Sequence, residues 1–291
     1  MKNRGFTLIE IIVAMAILSI MAGTLVPMLY KTWESNEIAV TRGRMLELKK
    51  AMVGDRTLVQ QGIRTHYGFV GDNGVLPAGI DDLLTAPAGW VNWNGPYLGG
   101  FDPDTYKSDA WGNGIAYARH NPTLAVSGMS VTATLRSAGP DRTFGTGDDI
   151  DENSDLSLQV LEAEVWPTAT VQGNLSYTFT AATSEVTPSY GADILASYHD
   201  GAGTATTVTG CIPLAVGPVQ PGVPKNVGQS FEKNFGIELP VGRVVLRSRL
   251  FSDAACTTLA AETNDMAIFV SDGLSKISVN PPTLYYPIPE P

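Results

Sequence analysis

The first fifty residues carry two patterns of hydrophobicity laid end to end. From 11 to 30 no residue is charged, and roughly 20 apolar residues in a helix span the hydrocarbon core of a bilayer. Beyond Lys31 the pattern turns amphipathic. Met45, Leu48 and Met52, with Leu46 and Val53 beside them, keep the three-four spacing of one apolar face, while Glu47, Lys49 and Lys50 supply a polar one. The spacing predicts one long helix, its lower half buried in lipid or in an assembly, its upper half docked on a globular head. Gly54 or Gly62 is expected to end it.

After the helix the period changes. Gly71-Asp72-Asn73-Gly74 and Leu76-Pro77-Ala78-Gly79 read as turns ahead of a short helix over 80–84. The alternating run at 131–135 predicts a strand that leads into an acidic loop. Farther on, Leu175, Tyr177 and Phe179 alternate with Ser176, Thr178 and Thr180, and 244–251, 267–270 and 276–279 offer further strands between turns such as Asp272-Gly273. The fold class is α+β. Residues 156–291 are expected to form a second, β-sandwich-like domain ending in an extended tail that holds Pro281, Pro282, Pro287, Pro289 and Pro291.

Composition narrows the function. A chain of 291 residues with 44% hydrophobic content accommodates two globular parts besides the apolar segment. A net charge of −10, with no basic stretch interleaved with aromatics, argues against nucleic acid as a partner. His66, His120 and His199 stand apart from one another, with no H-E-x-x-H, no G-x-S-x-G and no phosphate-cradling glycine loop, so hydrolase and zinc-enzyme readings have no motif to rest on. Tyr198-His199-Asp200 reads as an exposed loop, with the lining of a binding site as the alternative. Cys211 and Cys256 are the only cysteines. Outside the cytoplasm they predict one disulfide, with a pair of buried free thiols as the alternative.

The acidic loop carries the clearest candidate chemistry. Asp141, Asp148 and Asp149 are separated by a Gly- and Thr-rich stretch that lets the backbone curl back on itself. Hard oxygen donors of this kind suit Ca²⁺, which accepts six to eight oxygens in flexible geometry. The loop is not an EF-hand, because Thr143 and Gly145 occupy the positions of its third and fifth ligands and Thr146 that of its turn glycine. A solvated acidic turn is the alternative.

At the other end Lys2 and Arg4 precede the apolar run, which places the extreme N-terminus in the cytoplasm and the remainder across the membrane. A secretory signal would have a shorter apolar core followed by an A-x-A-like site, and nothing after Gly23 fits that well. An ordinary anchor leaves Glu10 unexplained, since a carboxylate in hydrocarbon is costly and usually marks function, but near the interface the cost is smaller and position alone leaves the question open.

Lys2, Arg4, Gly5, Phe6, Thr7, Leu8, Ile9 and Glu10 resemble the leader of type IV prepilins and type II secretion pseudopilins, a pattern of high specificity at this position. The resemblance implies cleavage between Gly5 and Phe6 by a prepilin peptidase, N-methylation of Phe6, and use of the apolar helix as a filament core in which Glu10 guides assembly. Pro27 sits where such pilins often carry a proline that loosens the helix. NGPYLGG, SDAWGNGIAY and SAGPDRTFGTGDDI then follow in the order of the major pseudopilin of type II secretion, with Ala110 where that family usually has proline. The similarity covers about 1–150. It implies a pilin fold, a spine helix packed on a small antiparallel sheet with a calcium loop, divided into a leader (1–5), an anchor and filament core (6–30) and a head (31–155). It also implies a Ca²⁺ set of Asp141, Asp148, Asp149 and the backbone carbonyl of Ala138. The expected role is structural and non-enzymatic: self-assembly with other pseudopilins on an inner-membrane secretion platform, the globular part in the periplasm. A surface minor pilin whose β-domain acts as an adhesin or binding module is the alternative reading.

Overall fold

The computed structural model describes residues 8–61, 63–99, 102–151, 156–236, 238–271 and 276–289. Its first element, α1 (Leu8–Val53), runs through Pro27 without interruption. Gly54 ends it: its φ of +83° is left-handed, and its N–H donates to Lys50 O. Only the upper part of α1 is covered, with Thr41, Met45, Leu48, Ala51, Met52 and Val53 buried. The amphipathic stripe read from the sequence is therefore the docking face.

A short ribbon, β1 (Val59–Gln60) with β2 (Ile63–Arg64), precedes α2 (Gly68–Asn73). The predicted helix over 80–84 is a 3-10 turn at Ile80–Leu83. The head's sheet is antiparallel, in the order β3 (Ala116–Val126), β4 (Met129–Arg136), β5 (Val160–Leu161), and is followed by α3 (Glu162–Val165). The strand expected at 131–135 is thus β4. Its partner β3 was not legible because most of its residues face solvent and its register breaks between Arg119 and Leu124. Met45, Leu48, Met52, Phe69, Leu83, Leu135, Leu158 and Val165 share one core with Val241. This core reaches past 155, where the sequence places the head's end.

The remainder is β-structure: β6 (Ala169–Thr180), β7 (Tyr190–His199), β8 (Thr204–Val208), β9 (Ile212–Leu214), β10 (Lys225–Gly236), β11 (Gly242–Phe251), β12 (Leu259–Glu262), β13 (Met266–Val270), β14 (Lys276–Val279) and β15 (Leu284–Pro287). One sheet runs β10-β6-β14, with β15 also on β6; the other runs β12-β11-β7-β8, with β13 on β11 and β9 on β7. Alternate residues of the two sheets meet in a single core. Leu175, Tyr177 and Phe179 face inward, as their alternation predicts. Phe179 stacks on Tyr190 at 5.0 Å between centroids, and the Tyr177 hydroxyl meets Ser248 Oγ at 2.8 Å. Burial pushes that phenol's pKa up to about 12. Asp193 and Arg249, directly opposite on β7 and β11, pair through two contacts of 2.8 and 2.6 Å. Cys211 and Cys256 form a disulfide.

Two expectations are corrected. Leu284–Pro287 is not part of a free tail but lies parallel to β6, and Ile288 N–H donates to Thr180 O at 2.8 Å. Pro287 is admissible there because it ends a strand at the sheet's margin. His199 is not in an exposed loop. It ends β7 against the head, where Asn92 Nδ2 lies 2.8 Å from its Nδ1 and Gly201 N–H donates to Asn73 O at 2.7 Å. The contact is backbone to backbone: a Cβ on Gly74 would lie 1.5 Å from His199 O, and one on Gly242 would lie 2.6 Å from Gly71 O. Tyr67 and Phe269 stack across the same seam at 6.1 Å.

Candidate functional site

Three features hold the candidate chemistry: the apolar half of α1, the acidic loop between β4 and β5, and a turn at Asp109 that ties this loop to the upper part of α1. Gly5 and Phe6 lie outside the described residues. Glu10 stands in the first described turn of α1. Around and above it the helix is bare on every side, with Leu8 78%, Leu18 64% and Leu29 68% exposed. It is long and apolar enough to cross a membrane once. Three of its hydroxyls are satisfied internally: Ser19 Oγ donates to Met15 O, Thr24 Oγ1 to Met21 O and Thr32 Oγ1 to Met28 O. These three hydroxyls then bring no unmet donor into an apolar medium. Such a surface is stable only when lipid or other helices cover it.

The acidic loop is closed at its base by paired backbone hydrogen bonds between Ser137 and Ile150, of 2.9 and 3.0 Å. Gly139, at φ +63°, allows the chain to fold back so tightly that a Cβ there would lie 2.4 Å from Asp148 O and 3.2 Å from Asp148 Oδ2. Asp148 and Asp149 both reach the Thr146 hydroxyl, at 2.7 and 3.4 Å. Asp148 Oδ2 also accepts the Asp141 N–H, and Asp149 Oδ2 accepts the Gly145 N–H. The Thr146 hydroxyl, and after it the Asp141 N–H, hold the Asp148 carboxyl below the usual carboxylate range. Asp141 instead turns its carboxylate to its own turn, accepting from Thr143 N–H at 2.8 Å. Two of the three predicted acids therefore converge and the third does not. Among the described residues no group of three or more His, Cys, Asp or Glu side chains is placed to hold an ion. In residue type the loop's three aspartates are the hard oxygen donors a divalent cation takes, but the backbone presents N–H groups, from Asp141 and Gly145, to Asp148 and Asp149.

Sequence reasoning missed the turn at Asp109. This carboxylate is 1% exposed and accepts four hydrogen bonds, from Trp111 N, Asn113 N, Asn113 Nδ2 and Ser137 Oγ. From α1, Arg44 Nη1 donates to Ser108 O and Asp109 O, both at 2.8 Å, and Thr41 Oγ1 accepts the Ala110 N–H at 3.0 Å. A proline in place of Ala110 has no N–H to offer Thr41. The departure from the resembled pattern thus coincides with an added tie to the spine helix. A lone acid between small residues and a tryptophan is the signal that would have found it.

Two comparisons bear on what these features serve. Residues 1–26 match the family model described as the prokaryotic N-terminal methylation motif. The chain is 30% identical over 156 residues to the type II secretion system core protein G of Escherichia coli (strain K12), a match covering 51% of this chain and 90% of that protein. No solved structure matches. The methylation motif lies where the bare helix begins, and the identity extends over nearly all of that relative, so the chain belongs to the pilin-like family of the type II secretion system core protein G.

Proposed function

We propose that this protein is a structural subunit of a type II secretion pseudopilus. It is cut between Gly5 and Phe6, methylated on Phe6, held in the inner membrane by α1 with its globular part in the periplasm, and then drawn into a filament with other pseudopilins. The observation that carries the reading is the bare apolar half of α1 directly behind a prepilin leader. Lipid covers that surface before assembly and neighbouring helices cover it afterwards, so one segment serves as anchor and as filament core. Cleavage leaves an amino group on Phe6 about one helical turn from Glu10. In a staggered bundle Glu10 pairs with the amino terminus of a neighbour, which offsets the cost of a carboxylate in low dielectric only when the incoming subunit is in register. Asp141, Asp148, Asp149 and the carbonyl of Ala138 hold Ca²⁺, whose charge allows the loop's acids to lie together.

A second reading, a surface minor pilin whose β-rich unit is a binding module, is favoured by one fact: about half of the chain lies outside the match to the secretion protein. Processing is tested by N-terminal mass analysis after co-expression with a prepilin peptidase. The mature chain begins at N-methylated Phe6, and Gly5→Val leaves the precursor; an uncut Met1 end in the wild type counts against the leader.

A further inference from the structure

We propose that Asp109 is a positioning residue through which the spine helix sets the shape of the acidic loop; its bearing on cation affinity rests on the calcium reading above. The two oxygens of this buried carboxylate have different partners. Oδ1 accepts from Trp111 N at 3.0 Å and Asn113 N at 2.7 Å, closing its own turn. Oδ2 accepts from Asn113 Nδ2 at 3.0 Å and Ser137 Oγ at 2.7 Å. Both of those groups hold the loop. Asn113 Nδ2 also donates to Gly139 O at 3.0 Å, Ser137 Oγ accepts the Gly139 N–H at 3.2 Å, and the Ser137 backbone pairs with Ile150. Gly139 in turn packs against Asp148. On the opposite side the same turn is gripped from α1 by Arg44 and the fully buried Thr41.

The chemistry of the residue supports the assignment. Burying a carboxylate is costly unless donors satisfy it, and an asparagine would close the Asp109 turn equally well through Oδ1. Only the loop-facing arm, where two donors converge on Oδ2, demands a second acceptor. An amide would place an NH₂ there, against the Asn113 amide that holds Gly139. Because α1 and the loop grip one turn, the seating of the helix and the affinity of the loop are linked, and linkage is reciprocal.

The test uses the full chain in detergent micelles. Asp109→Asn keeps the Oδ1 arm and removes the Oδ2 arm. Thr41→Val alters α1 and adds nothing to the loop. Thr32→Val, whose hydroxyl bonds within the helix, is the control. Hydrogen exchange in EDTA should show faster exchange at Asp141, Gly145 and Ile150 in Asp109→Asn and, less strongly, in Thr41→Val, with β6 and β11 unchanged. Calorimetric titration with Ca²⁺ should show binding weakened on the order of tenfold in Asp109→Asn, the equivalent of one hydrogen bond to a charged group. Thr41→Val should weaken it a few-fold and Thr32→Val not at all. Should Asp109→Asn fail to fold, Thr41→Val carries the test alone. Faster loop exchange in a protein that takes up no Ca²⁺ supports the positioning role and refutes the calcium reading. Unchanged loop exchange in folded Asp109→Asn or Thr41→Val overturns the proposal, whatever Ca²⁺ does.

Discussion

Replacing Gly74 by alanine should part the β-rich unit from the head. Gly74 caps α2 at φ +71°, where an alanine costs about 1–2 kcal/mol. The larger cost comes from its neighbour. The new Cβ would lie 1.5 Å from His199 O and 2.7 Å from His199 C, both backbone atoms that no rotamer change can move. Ordinary contact begins near 3.4 Å, so the end of β7 must retreat by roughly 2 Å, an overpacking strain of about 1–3 kcal/mol. That retreat breaks the Gly201–Asn73 and Asn92–His199 hydrogen bonds, each contributing about 1 kcal/mol net. The total is about 4–7 kcal/mol. Two glycines separate the terms. Gly89 shares the left-handed backbone (φ +84°) but faces open space, so Gly89→Ala should cost only about 1–2 kcal/mol. Gly79 has neither constraint, and Gly79→Ala should be near neutral. Urea unfolding of the full chain in detergent, followed by tryptophan fluorescence, reads the seam directly because Trp90 borders Gly201. If Gly74→Ala unfolds at the same urea concentration as Gly89→Ala, the seam does not exist as described.

Two further outcomes follow from the β-rich unit. Cys211→Ser with Cys256→Ser opens a closure spanning 45 positions and should lower stability by about 4 kcal/mol in the chain-entropy account, seen as a lower midpoint in urea; an unchanged midpoint would mean that the bridge constrains little. Asp253, in the turn that presents Cys256, is held below the usual carboxylate range chiefly by the Thr257 N–H and then by that of Thr258. Its folded pKa is depressed, so its contribution is present above the ordinary aspartate value near about 3.9 and is lost as pH falls through and below it. Melting temperatures of wild type and Asp253→Asn should therefore differ at pH 7 and converge in acid; a constant difference would place the effect elsewhere.

How much of this was legible depended on where the decisive partner lay. Local periodicity sufficed for α1 and its docking stripe, because each rests on residues a turn or two apart, and it narrowed the stop to Gly54 or Gly62, of which the structure uses Gly54. The alternation of Leu175, Tyr177 and Phe179 likewise marked an inward face. β3 was hidden because a mostly solvated strand lacks the alternation that a half-buried one shows, and β15 because prolines on both sides masked a strand whose partner is about a hundred residues earlier. The acids of the loop were legible as a set, yet the convergence of Asp148 with Asp149, and the turning away of Asp141, depend on backbone donors that no spacing reveals. Asp109 was invisible for the same reason. Its meaning comes from Ser137, 28 positions on, and from α1, more than 60 positions back.

The central claim is that α1 is a filament core for which Glu10 sets the register. Electron microscopy of filaments from cells that express the wild type or Glu10→Val, together with the secretion system's other components, tests it most directly. Wild-type protein should form filaments with α1 at their axis, whereas Glu10→Val should be inserted and cleaved normally yet give few filaments. Normal filaments from Glu10→Val would contradict the account.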